Sequence, residues 1–101
     1  MQNQIQVFEN KKFGEIRTVE LNGQVWFVGK DVTDVLAYQN NRDAIRVHVD
    51  DEDKAAVAIH DGRQDRQMAV INESGLYSLI LSSKLVYQKG LDFIRQIVAN
   101  G

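Results

Sequence analysis

The chain has no cysteine and no proline, only two histidines, and no apolar run long enough to cross a bilayer. The lack of cysteine excludes a disulfide framework and a thiolate zinc site. His48 and His60 are too few to hold a metal without thiolates to help. The lack of proline leaves no linker marked by composition. Met1-Gln2-Asn3-Gln4 does not have the basic-then-apolar layout of a signal peptide, so the expected location is cytoplasmic, with no membrane partner. An excess of positive charge is missing too. The net charge is -2 and the pI about 5.6, which counts against a protein that grips nucleic acid by bulk electrostatics. The charge is uneven, however. Asp50, Asp51, Glu52 and Asp53 stand together, and without them the remainder is slightly basic.

Signatures of catalysis are also missing. Glu73-Ser74-Gly75 is half of a nucleophile elbow, but Asn72 stands where a glycine is required. There is no glycine-rich phosphate loop. Asp61 and Asp65 are two nearby acids in the sequence, which without a pocket is no evidence for a glycosidase pair. The acidic run lacks the glycine and the ligand spacing of an EF-hand loop. The expectation is therefore no enzyme, no cofactor and no metal.

What is there fits one soluble domain. The chain has 101 residues, 44% hydrophobic and 26% charged, which suffices for one core and not for two. Ile5 to Glu9 reads as a first strand and Gly14 to Leu21 as a second. Asn22-Gly23 then marks a tight hairpin, since both residues tolerate positive φ, and Gln24 to Val28 returns. In that register Val19, Leu21, Trp26 and Val28 share one face, taken as the core side, with Trp26 as a core anchor. Ala55 to His60 and Gln67 to Ile71 read as a second hairpin, or wing, with 61–66 as its charged tip.

The organising stretch lies between the hairpins, from Phe27 to Lys54. A first helix starts near Lys30 or Asp31, with Gly29 freeing the backbone at the corner. Val28, Val32, Val35 and Leu36 have the spacing of a buried helical stripe. Tyr38-Gln39-Asn40-Asn41 interrupts it, and Asn41 is placed to cap a second helix with Asp43 in its first turn. Ala44, Ile45 and Val49 form that helix's narrower stripe, which leaves Arg42 and Arg46 pointing elsewhere. Helix, turn, helix with basic and amide groups on the second helix is the outline of a helix-turn-helix reader. Any helical hairpin with a solvated face shares that outline.

Asn72 caps a third helix, with Leu76, Leu79, Ile80 and Tyr77 facing inward, and Ser82-Ser83-Lys84 ends it. Leu85 to Ala99 is a fourth helical stretch. The fold class is α+β: two antiparallel hairpins in one small sheet, a helix-turn-helix-like pair between them, two C-terminal helices, and the helices on one side.

Three blocks resemble the Bro-N family, the N-terminal domain of baculovirus BRO proteins and of many phage and prophage antirepressors. They are Trp26 to Val32, then Ala44 to Asp50 with Glu52-Asp53-Lys54, then Ile71 to Ile80 followed by Ser83-Lys84. They stand in the family's order. The chain departs from it at Val86, where proline is common, and at Gln96, near an expected tryptophan. The resemblance implies a viral or prophage regulatory protein acting in the cytoplasm of a bacterial host. DNA binding is attributed to this domain, and a separate C-terminal domain commonly follows. The chain is thus expected to be the N-terminal part of a longer protein.

Two functions are open. One is a DNA-binding module for double-stranded DNA. It would act through Arg42 and Arg46, with Gln39 and Asn41 as amide readers and Lys30 at a phosphate. Arg63 and Arg66 at the wing tip would add phosphate contacts, or serve solubility alone. A homodimer would suit paired half-sites. The other is a protein-interaction module that inactivates a phage repressor without touching DNA, its acidic run meeting a basic partner.

Overall fold

The computed structural model describes residues 5–10, 14–60 and 62–83. The hairpin at Asn22-Gly23 forms as expected. Both residues have positive φ, 53° and 78°, and the flanking strands pair Leu21 with Gln24 and Val19 with Trp26. This sign of φ matches the twist of the strands it joins. The strands are β1 (Ile5–Asn10), β2 (Gly14–Leu21), β3 (Gln24–Val28), β4 (Lys54–His60) and β5 (Asp65–Ile71). The helices are α1 (Gly29–Val35), α2 (Asn41–His48) and α3 (Glu73–Ser82), with a short 3-10 turn at Asp51–Asp53. None of these helices is long and apolar enough to cross a membrane. The expected helix over 85–99 lies outside the described residues.

The strands form one antiparallel sheet in the order β1-β2-β3-β5-β4. The two hairpins meet at β3 and β5 over only two registered pairs, Phe27 with Ile71 and Val28 with Val70. Each hairpin therefore runs past the other at that seam.

The central position of β3 explains why its alternation fails. Phe27 and Val28 point to opposite faces, and both are buried. Val19, Val28, Val57, Ile59 and Val70 form one cluster, with Leu21 and Trp26 packed against it, so the side read from the hairpin register is indeed a core. The described helices lie on the other face. There Ile16, Phe27 and Ile71 meet Val32 and Leu36 of α1, Ala44 and Ile45 of α2, Val49, and Leu76, Leu79 and Ile80 of α3. The expectation that Val28 belongs to the stripe of the first helix is corrected. Val28 sits in β3, on the face away from Val32.

Two glycines allow the helices to approach. A Cβ on Gly29 would stand 2.6 Å from Ile45 Cδ1. Gly29 is thus needed for packing against α2, rather than for the backbone freedom expected at the corner. A Cβ on Gly75 would lie 3.1 Å from both Val49 Cγ1 and Ile71 Cβ.

Asn72 caps α3 as expected, accepting from Gly75 N at 2.9 Å. Its Nδ2 and backbone N–H bind Asp53 Oδ1 and O, so the acidic run is tied to the start of α3. Tyr77 does not face inward. It is half-buried, and its hydroxyl donates to Glu73 one turn back. That hydrogen bond, with some burial, raises the Tyr77 pKa.

Candidate nucleic-acid interface

α2 is organised by its buried stripe. Ala44 and Ile45 are buried, as is Val49 just past its end, while Arg42, Asp43, Arg46 and Val47 are exposed. Asn40, not Asn41, caps it. Asn40 has extended backbone (φ -125°, ψ 103°), and its Oδ1 accepts from Asp43 N at 2.9 Å. Asn41 is already helical, so its side chain is free to reach back. Its Nδ2 donates to Asp34 Oδ1 at 2.8 Å, which bridges α1 and α2. An amide so engaged is a poorer base reader than expected.

The connection between the two helices closes on itself. Tyr38 N donates to Thr33 O and Ala37 N to Asp34 O, with Ala37 at φ 63°. This is a Schellman motif with alanine where glycine is usual. Tyr38 then anchors the turn. Its hydroxyl donates to Leu79 O at 2.7 Å, and its ring lies 5.9 Å from that of His48. Burial raises the Tyr38 pKa. Gln39 is left exposed at the turn.

α1 is fastened at its other end. Asp31 accepts from Arg17 N at 2.9 Å, Nε at 2.8 Å and Nη2 at 2.9 Å. That hydrogen bond to Asp31 is the first cause of the raised Arg17 pKa. Asp31 suits the helix dipole, as the sequence suggests. Its fork to Arg17, across 14 residues, leaves no local signal. Lys30 next to it is exposed.

The candidate basic residues fall into distinct settings. Arg42 is exposed, and its side chain has no hydrogen bond or ion pair among the described residues. Arg46 is exposed but pairs through Nη2 with Asp43 Oδ1. On the wing, His60 and Asp65 face each other at the mouth of the hairpin, with Nδ1 and Oδ1 3.1 Å apart. Gly62 turns the tip at φ 93°. Arg63 lies in that tip, exposed. Arg66 does not belong to the tip. β5 begins one residue earlier, and Arg66 pairs with Ile59 in the ladder. Both wing arginines have intramolecular partners.

Gly29 of α1 lies between α2 and β5. Ile45 packs on Gly29, and Ala69 O of β5 comes within 3.4 Å of a Cβ built on that glycine.

Residues 15–92 match the BRO family, N-terminal domain. The Bro-N domain-containing protein 289L of Invertebrate iridescent virus 6 is 35% identical over 103 aligned residues, covering 81% of this chain and 24% of that protein. An uncharacterized protein of Haemophilus influenzae is 33% identical over 87 residues, covering 83% of this chain and 43% of its own length. The chain thus spans less than half the length of these relatives. No solved structure matches.

Proposed function

From a chain that belongs to the BRO family as its N-terminal domain, we propose a DNA-binding regulatory domain of a phage or prophage antirepressor-like protein. Its main contact with double-stranded DNA is α2, the second helix of a helix-turn-helix-like pair. The observation that carries this reading is the pair Arg42 and Arg46. Both stand exposed on a helix whose opposite stripe is buried in the core. Lys30, Arg63 and Arg66, all exposed, would supply flanking phosphate contacts, the two wing arginines by exchanging the partners that they have within the chain. The net charge of -2 makes such contacts few, so affinity is modest and strongly dependent on salt.

The test is a fluorescence-anisotropy titration of labelled duplex at two salt concentrations, with the wild type and with Arg42→Ala/Arg46→Ala. Loss of both arginines is expected to weaken binding by about tenfold or more and to flatten the salt dependence by about one to two contacts. Absence of binding by the wild type at low salt would sink the reading.

A second reading rests on Asp50, Asp51 and Glu52, which are exposed directly after α2. Such a surface suits a basic protein partner, such as a phage repressor captured without DNA. Capture of that repressor after nuclease treatment, abolished by Asp51→Lys/Glu52→Lys, is its positive sign.

A further inference from the structure

Four residues make up the outer face of α2: Arg42, Asp43, Arg46 and Val47, all exposed. A face that served only to hold phosphates would gain nothing from a carboxylate, because Asp43 repels every phosphate within a screening length. Asp43 is there nonetheless, paired with Arg46 one turn on. Its backbone N–H is already taken by Asn40 Oδ1, so the first turn of α2 has one donor fewer for an anion.

We infer that Asp43 sets the base specificity of α2, by holding Arg46 for a base edge and against a phosphate. This rests on the DNA-binding reading above and says how its main helix would discriminate. The two arginines of α2 do different work. Arg42, without a partner among the described residues, is free to follow a phosphate. Arg46 is anchored at one Nη2, and its remaining N–H donors form a pre-set fork. That fork matches the paired acceptors O6 and N7 of guanine in the major groove. An anchored guanidinium loses less rotamer freedom on binding, and the carboxylate beside it penalises a phosphate more than a neutral base edge. Val47 supports the same assignment. It is 57% exposed beside Arg46. Its methyl groups have no counterpart on a phosphodiester but do have one in the C5-methyl group of thymine.

The experiment selects a preferred duplex from a random pool with the wild type. It then compares that duplex with a scrambled one of equal length, for the wild type, Asp43→Asn, Asp43→Ala, Arg46→Ala and Val47→Ala. Thermal melts confirm that each variant is folded. Both Asp43 changes are expected to tighten scrambled binding about threefold to tenfold, while discrimination between the duplexes falls about tenfold. Arg46→Ala loses discrimination more than it loses scrambled binding. Replacing thymine with uracil in the selected duplex weakens the wild type and leaves Val47→Ala unmoved. An unchanged ratio of the two affinities in the Asp43 variants overturns the inference, as does a wild type that binds duplex but selects no sequence. In both cases DNA binding itself would stand. A wild type that binds no duplex at low salt removes both proposals at once.

Discussion

Two arginine–aspartate pairs sit within one small domain and do opposite jobs. Arg17 and Asp31 are 14 residues apart, and their side chains are 27% and 13% exposed. Arg46 and Asp43 are three residues apart on one helix turn, and theirs are 70% and 54% exposed. The first aspartate accepts three N–H donors from a strand and so locks α1 to β2. The second accepts one from its own helix. The same two chemical groups thus serve architecture where water is partly excluded and the chain separation is long. They stay available to a partner where water surrounds them and the link is local. Exposed pairs are screened and add little to folding stability. Partly buried, multiply bonded ones are held by geometry as well as by charge.

The sharpest way to break this contrast is at the first pair. Asp31→Ala leaves the Arg17 guanidinium and a strand N–H without their acceptor, and is expected to lower unfolding stability by about 2–3 kcal/mol in a urea titration. A loss under about 0.5 kcal/mol would mean that the pair is ornamental. Next is the joint that the pair guards. Gly29→Ala pushes a methyl group into Ile45, with an expected loss of about 1–3 kcal/mol by the same measurement. Adding Ile45→Val to that variant should restore part of the loss, because it removes the atom that collides.

The turn between the helices gives a smaller effect and a pH signature. Burial raises the Tyr38 pKa above its unfolded value. Stability from this group is therefore full below the ordinary tyrosine value and declines as pH rises through the raised one. Tyr38→Phe is expected to cost about 1 kcal/mol at neutral pH, from the lost bond to Leu79 O, and to flatten the alkaline decline. Melts at stepped alkaline pH check both. The smallest effect belongs to the second pair. Arg46→Ala should move stability by less than about 0.5 kcal/mol. A double-mutant cycle on stability should then give a small coupling, under about 0.5 kcal/mol, for Asp43 with Arg46, and a large one for Asp31 with Arg17.

Much of the fold is legible along the chain because its signals are short. Asn22-Gly23 demands positive φ at both residues, whatever surrounds them. Asn72 lies three residues before the N–H that it caps. The spacing of Ala44, Ile45 and Val49 needs only a helix and a core. The misreadings arise where two local answers compete. Asn40 and Asn41 are both good caps, and the one that caps is Asn40, while Asn41 is helical and reaches back to Asp34. Arg66 reads as tip because its neighbours are polar, yet the ladder to Ile59 extends the strand beneath it. The apolar run Trp26-Phe27-Val28 does not say which face the helices take, since both faces of a central strand are covered.

By itself, the sequence determined the Asn22-Gly23 turn, the Asn72 cap and the order of strands and helices as far as α3, and that Arg42 and Arg46 stand off a buried stripe. These follow from φ preferences, caps and periodicity within a few residues. Tertiary structure alone decided that the described helices lie on the Phe27 face, that Arg17 finds Asp31, and that Asn41 reaches back to Asp34. Each of those depends on residues brought together from separate elements of the chain, and no local energy term encodes such a meeting.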